Sequence, residues 1–193
     1  MNKTVISLLV IGGIIVVLFL WVRGFNNSMV DKDQAVQKLW SDVESQYQRR
    51  FDMYGNIVSV IKGSANFEKS TLEAVIEARN TASKITVDPS KLTPESIQQF
   101  QQAQDNLKNQ INIVFERYPD LKTTAQYQDF QTNIVGTENR INKARDDFNA
   151  GVQDYNSYIK RFPNNLFAGM FGYSEKGYFK AATGTEKAPE VKF

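Results

Sequence analysis

VISLLVIGGIIVVLFLWV, from Val5 to Val22, is an uncharged run preceded by Lys3 and closed by Arg23. As a helix it would be roughly 27 Å long, close to the hydrocarbon thickness of a bilayer. Trp21 stands near its end, where an amphipathic ring favours the headgroup level. We expect residues 1–23 to form a transmembrane anchor, with the lipid bilayer as the partner of residues 5–22.

A cleaved secretory signal and a buried core helix are the two alternatives for this run. Signal cores are shorter and end in a small-residue cleavage site, whereas this run ends in Trp21-Val22-Arg23-Gly24. An uncharged run of this length rarely forms a soluble core helix. Its basic flanks are nearly balanced, so the positive-inside rule does not orient it. Its likeness to a signal-anchor favours Lys3 inside and the rest of the chain outside the cell.

Composition excludes several kinds of functional site. The 193-residue chain has no Cys and no His, so disulfides, zinc thiolates, cysteine nucleophiles and Ser-His-Asp triads are ruled out. Lys3 and Arg23 account for the formal net charge of +2, and a neutral remainder has no bulk electrostatic reason to bind nucleic acid. We expect no catalytic residues, no cofactor and no metal, although carboxylate or lysine catalysis stays open.

A short polar joint, residues 24–28, follows the anchor. Ser28 and Asp31 have the spacing of a helix N-cap and an acidic first turn. A helix is therefore expected to begin near Met29. The sequence does not decide whether this helix continues from the anchor or restarts.

The next helix is predicted from an apolar stripe with a period of 3.6 residues. Gly55 and Gly63 lie inside it, and each weakens a helix by about 1 kcal/mol relative to Ala, yet the stripe keeps its phase across both. We predict one helix from about residue 29 to 85, bent or briefly interrupted near Asp52–Gly55; the alternative is two helices with a reversal there. The stripe includes Val36, Trp40, Val43, Tyr47, Phe51, Tyr54, Ile57, Val58, Ile61, Leu72, Val75 and Ile76.

Two more long helices follow a proline-containing loop. Thr93 and Pro94 have the character of an N-cap and a first helical residue, Pro119 is expected to end that helix, and Asp120 can cap the next. The last helix has apolar residues at seven-residue steps, which is typical of a supercoiled packing seam. These residues are Tyr127, Ile134, Ile141, Phe148, Tyr155 and Phe162, and Pro163 follows them.

The predicted fold class is all-α. One N-terminal transmembrane helix precedes an antiparallel bundle over residues 29–162, with three long helices, or four if the first breaks near Asp52–Gly55. Residues 163–193 form an aromatic, glycine-rich segment and a polar tail. This segment is either a cap over one end of the bundle or an exposed apolar surface that binds a partner or the membrane interface. The candidate partner surface comprises Phe167, Phe171, Tyr178 and Phe179.

Five charged residues lie on or beside the apolar stripes, and an unpaired buried charge is costly. They are Arg50, Glu68, Arg79, Glu138 and Arg145. One interpretation is an interhelical salt-bridge layer that fixes the register of the bundle. The other is a polar binding site inside the bundle.

Short motifs follow one another in a fixed order along the chain. They are Phe25-Asn26, Trp40-Ser41, Arg49-Arg50, Lys62-Gly63, Ala78-Arg79, Tyr118-Pro119-Asp120-Leu121-Lys122, Thr137-Glu138-Asn139-Arg140-Ile141, Ala144-Arg145, Phe148-Asn149 and Tyr155-Asn156. This ordered set resembles the LemA family of bacterial membrane proteins, although Tyr54-Gly55 stands where the family has Ile-Pro. The resemblance implies an anchor followed by an antiparallel helical bundle. It implies no catalytic residues, because the family has no settled biochemical activity.

Three functions are compatible with these features. The first is a single-pass, non-enzymatic scaffold or interaction protein of the bacterial cell membrane, which binds protein partners or a second copy of itself. The second is a sensor or ligand-binding bundle that uses the charged residues of the stripes. The third is a carboxylate-based enzyme, for which the sequence names no substrate. We expect the first.

Overall fold

The computed structural model describes residues 2–62, 68–118 and 125–180, apart from the side chains of 59–62 and 125–127. Within these residues the chain is helical and has no strand, which confirms the predicted all-α class. The elements are α1 (Lys3–Lys62), α2 (Lys69–Lys84), α3 (Pro94–Arg117), α4 (Ala125–Lys160) and α5 (Asn165–Ala168), followed by a 3₁₀ turn over Gly169–Phe171.

The first helix continues from the apolar run into the bundle without a break. The side chains from Asn2 to Leu20 are exposed, whereas Phe25 and Met29 are buried against other helices. Ser28 is therefore not an N-cap, because residues 24–28 are already helical. The first proline of the sequence is Pro89, so no proline removes a hydrogen bond from α1.

The predicted single helix from residue 29 to 85 is wrong, and so is the alternative of a reversal at Asp52–Gly55. Helix α1 is continuous through Gly55 and ends at Lys62, and α2 begins at Lys69. Residues 63–67, including Gly63, lie outside the described residues. Arg79 of α2 stacks over the Phe51 ring of α1 at 4.3 Å, so α2 runs back along the end of α1.

Gly55 has a packing role in this arrangement. A Cβ atom at this position would lie 3.2 Å from a guanidinium nitrogen of Arg79. The neighbouring residues Tyr54, Ile57 and Val58 are all buried, and their burial offsets the weak helix propensity of glycine. The glycine thus leaves room for the Arg79 guanidinium against α1 and does not break the helix.

The helices form an antiparallel bundle in which α1 packs mainly on α4 and α2 mainly on α3. Its core has two parts. The membrane-proximal cluster contains Met29, Trp40, Phe100, Phe148 and Tyr155. The distal cluster contains Tyr54, Val75, Leu107, Val114 and Phe130.

The predicted helix ends are confirmed where the structure describes them. The Thr93 hydroxyl accepts a hydrogen bond from the Ser96 N–H at 3.2 Å, Pro94 is the first residue of α3, and α3 ends at Arg117. Asp120, the proposed cap of α4, lies outside the described residues.

The predicted heptad seam of α4 is correct in its centre and wrong at its end. Ile141, Phe148 and Tyr155 are buried in the membrane-proximal cluster, and Ile134 packs partly against the distal one. Phe162 is 80% exposed. Helix α4 ends at Lys160, so Phe162 no longer follows the face of the seam.

Candidate functional site

A buried arginine marks the point where the two core clusters meet. Arg50 is 2% exposed and lies on α1 between Tyr47 of the membrane-proximal cluster and Tyr54 of the distal cluster. One of its terminal nitrogens donates to Glu138 Oε1 at 3.2 Å. The other donates to the main-chain oxygen and to Oε1 of Gln104, at 3.1 and 2.8 Å. The guanidinium therefore links α1 to α3 and α4.

Glu138 is shared between two cations. Its second carboxylate oxygen accepts from Lys108 Nζ at 2.8 Å. Burial opposes ionisation of this carboxyl, but the Arg50 charge and the Lys108 hydrogen bond and charge outweigh it, so the pKa of Glu138 is lowered from its usual value. The carboxylate is held charged, as a counter-ion. We call Arg50, Gln104, Lys108 and Glu138 the charge centre.

Two tyrosines cover the guanidinium. The guanidinium carbon of Arg50, Cζ, lies 4.6 Å from the ring centre of Tyr47 and 5.8 Å from that of Tyr54. At these distances a cation is attracted to the face of a ring. Burial raises the pKa of Tyr54 to about 12 and also raises that of Tyr47, although the Arg50 charge opposes both shifts. These pKa values and that of Glu138 all move away from neutral pH, where an acid–base catalyst would be most effective.

The other three charged residues predicted for a polar layer do not join Arg50 and Glu138. Arg79 stacks on Phe51. Glu68 precedes α2 with its side chain 68% exposed, 3.7 Å from Arg117. Arg145 donates to the Lys180 main-chain oxygen at 2.7 Å. The layer is thus smaller than predicted, and each of these three charges makes a separate contact away from Arg50 and Glu138.

Sequence reasoning missed Gln104 and Lys108 of the charge centre. Gln104 follows the buried Phe100 by four residues and Lys108 follows Gln104 by four, so both lie on one side of α3. This spacing was the available signal. Polar residues at such positions are common on exposed helix faces, so the spacing gains meaning only when Arg50 is known to face it.

The end of the described chain is held by side-chain amides that bind its main chain. Asn156 pairs with the N–H and the carbonyl of Lys176, both at 2.9 Å. Asn149 pairs in the same way with Phe179, at 2.9 and 3.0 Å, and Gln101 with Lys180, at 3.1 and 3.0 Å. Residues 176–180 therefore lie as a strap across α3 and α4.

Phe179 is the anchor of this strap and not a surface residue. It is 5% exposed, and its ring meets those of Trp40, Phe100 and Phe148 at 5.5–6.5 Å between ring centres. The prediction that Phe179 belongs to a partner surface is therefore wrong, because the amide pairs hold the strap against the bundle and its ring enters the core. Tyr178, 43% exposed, points outward and its hydroxyl accepts from Asn156.

Two other residues of the predicted partner surface lie beside the membrane anchor. The Phe167 ring is 5.2 Å from that of Trp21, and the Phe171 ring is 6.2 Å from that of Phe25. Tyr173 also meets Phe25, and its hydroxyl donates to Asn26 at 3.0 Å. The segment that holds α5 therefore packs where α1 leaves the apolar run.

A cleft of about 380 Å³ lies beside the strap. Its polar wall includes Lys176, whose Nζ lies 2.7 Å from Asp33 Oδ1 and 5.0 Å from the centre of the Tyr155 ring. The lysine is buried, and its charge is compensated within the chain. In the described part of the chain there is no group of three or more Asp or Glu residues that could hold a metal ion.

The fold defines a class of protein: among the described residues, a bundle of long helices is carried on one helix that is long and apolar enough to cross a membrane. The sequence profile of the LemA family matches residues 39–193. The chain belongs to the LemA family, which confirms the resemblance found in its motifs.

The chain is similar to a protein named LemA and to proteins named MamQ. Protein LemA of Metamycoplasma hominis is 28% identical over 85% of this chain and 72% of its own length. Magnetosome protein MamQ 2 of Paramagnetospirillum magneticum is 25% identical over 80% of this chain, and magnetosome protein MamQ of Magnetospirillum gryphiswaldense is 24% identical over 79%. The chain spans 64% of the length of each MamQ protein. The chain is a single-pass, membrane-associated helical protein.

Proposed function

We propose that this protein is a non-enzymatic scaffold, a helical platform fixed to the bacterial cell membrane on which protein partners or further copies of the chain assemble. The observation that carries the proposal is the continuity of α1. The same helix provides the apolar run at residues 5–22 and the central helix of the bundle, where Trp40 and Arg50 are buried. A bundle built around its own anchor is held at a fixed distance from the bilayer.

The chemistry of the interior supports a structural role over a catalytic one. The chain lacks His and Cys, which removes the commonest acid–base and nucleophilic groups. Arg50 and Glu138 are paired with each other and with groups of α3. A sensor that used these charges for a ligand would first have to break those contacts, so the ligand-binding alternative is the less favoured proposal.

Site-specific photo-crosslinking in native membranes tests the scaffold. A photoreactive amino acid is placed at exposed apolar positions of the bundle, namely Val30, Ile113 and Val135, and at Phe19 in the span as a control. The scaffold predicts a discrete crosslinked protein, identified by mass spectrometry, from at least one bundle position and not from Phe19. Failure of every exposed bundle position to crosslink a protein would refute it.

We further propose that the bundle faces outward, with Lys3 on the cytoplasmic side. Because the chain has no cysteine, a single Ser174→Cys variant carries the only reactive thiol, on an exposed residue outside the span. Labelling of intact cells by a membrane-impermeant maleimide is expected. Protection in intact cells with labelling after lysis would place the bundle inside.

A further inference from the structure

Four large apolar side chains are exposed within one short stretch that runs from just after α4, through α5, to the 3₁₀ turn. Phe162 and Met170 are each 80% exposed, Leu166 is 58% exposed and Phe171 is 45% exposed. We call these four residues the interfacial patch. Phe162, Leu166 and Met170 are spaced by four residues. Adjacent residues Phe167 and Ala168 turn inward and pack against the bundle.

The patch lies at the level where the membrane anchor ends. Phe167 contacts Trp21, and Phe171 contacts Phe25. Trp21 and Phe25 are one helical turn apart, about 6 Å along α1, and the apolar run ends between them at Val22. When residues 5–22 span the hydrocarbon, the stretch around α5 is therefore at the headgroup boundary.

The chemistry of this stretch suits a bilayer interface. Aromatic and long aliphatic side chains partition to the boundary between headgroups and acyl chains. Arg23 and Arg161 are exposed at the same end of the bundle, where lipid phosphates would lie. A protein partner or a second copy would have to reach the patch within the headgroup layer itself.

We propose that the interfacial patch inserts into the bilayer beside the span and is a second point of membrane attachment. A single span leaves the rigid anchor and bundle free to tilt together in the bilayer and to rotate about the membrane normal. A second membrane contact, made by residues near the other end of the chain, fixes the orientation of the bundle. It determines which face of the bundle lies towards the membrane and which faces away from it. The proposal rests on the membrane anchor but not on the identity of any scaffold partner.

Lipid quenching of a single fluorophore tests this insertion. The full chain with Met170→Cys is labelled with an environment-sensitive probe and reconstituted into vesicles of phosphatidylcholine and phosphatidylglycerol. Some of these lipids carry a spin label high on the acyl chain. We expect a blue-shifted emission that loses most of its intensity to the spin-labelled lipid. The probe replaces an exposed side chain, and near-ultraviolet circular dichroism checks that the fold is unchanged.

Val135→Cys is the matched control. It is also an exposed apolar residue, 57% exposed, but it lies 23 residues before Tyr158, which stacks on Phe25, or about 35 Å along α4. Its probe should keep a water-like emission and resist quenching. Emission from position 170 that equals this control overturns the proposal. So does a blue-shifted emission that spin-labelled lipid leaves unquenched, because a protein would then cover the patch. Either result leaves the crosslinking test of the scaffold unaffected.

Discussion

Replacing Glu138 with alanine is expected to lower the free energy of unfolding by about 3 kcal/mol, because a buried guanidinium would lose its counter-charge. Arg50 is 2% exposed, and of its hydrogen bonds it would keep only those to Gln104. The expected loss is at the lower end of the range for breaking a buried pair, since the Glu138 side chain is 20% exposed and water can enter the gap.

The members of the charge centre differ in exposure, so the variants should fall in a definite order. Arg50→Met is expected to cost about 1–2 kcal/mol, because Glu138 keeps Lys108 at 2.8 Å. Lys108→Met should cost below about 1 kcal/mol, because Lys108 is 41% exposed. Asp147→Asn removes an exposed pair on the same helix and, as the matched control, should stay within about 0.5 kcal/mol.

Urea unfolding of the detergent-solubilised full chain, followed by far-ultraviolet circular dichroism, gives these differences. The double variant Arg50→Met with Glu138→Leu replaces the pair by apolar side chains. It should be more stable than Glu138→Ala, since no unpaired charge is left in the core. Equal losses of unfolding free energy for Glu138→Ala, Arg50→Met and Lys108→Met would refute the assignment of the pair as a structural counter-ion centre. So would a double variant that is less stable than Glu138→Ala.

The same centre makes stability depend on pH. Its cations hold the pKa of Glu138 below the usual 4.5 despite burial, so the folded chain binds this proton less readily than the unfolded chain. The stabilisation is therefore complete above pH 4.5 and is lost as the pH falls through the folded pKa. The difference in unfolding free energy between the wild type and Glu138→Gln should shrink on acidification below that value. A difference that grows would contradict this sign.

Three further predictions concern the strap, each measured by the same unfolding assay. Phe179→Ala should cost about 3–5 kcal/mol, because it empties a closed aromatic site; a loss comparable to that of an exposed residue would contradict its place in the core. Asn156→Ala should cost about 1–3 kcal/mol through the unpaired main chain it leaves, and a neutral result would mean that the amide pair contributes nothing. Gly177→Ala should destabilise, because its Cβ would lie 2.6 Å from Pro94 Cα. Gly169→Ala, whose Cβ meets open space, is the control and should be neutral.

The sequence predicted the elements that depend on local pattern. The uncharged run, the cap at Thr93 and the seam through Phe148 each follow from residues close together in the chain. The end of α1 at Lys62 did not, because the stripe keeps its phase beyond that residue and the packing of α2 back along α1 joins residues far apart in the chain.

For the candidate site too, the sequence predicted what depends on local pattern and not what depends on contacts between distant residues. Arg50 and Glu138 could be singled out because a charge on an apolar stripe needs a partner. Their pairing with Gln104 and Lys108 depends on how α3 is rotated against α1, which no local spacing sets. The strap was missed because amide-to-backbone pairs such as that of Gln101 with Lys180 join residues far apart in the chain. Without these pairs, the sequence pattern predicts a surface position for Phe179, whereas the structure buries it.

The claim that anchor and bundle form one rigid platform is tested most directly by a distance measured across residues 24–28, from the span to the bundle. Spin labels are attached at Phe19→Cys, exposed in the span, and Ser41→Cys, exposed on the bundle, in the full chain reconstituted into lipid vesicles. Twenty-two residues of continuous helix separate them, or about 33 Å. Electron double resonance is expected to give a single narrow distribution near that distance. A broad distribution, or one centred well below the helical distance, would mean that residues 24–28 are a flexible linker. It would contradict the rigid connection between anchor and bundle.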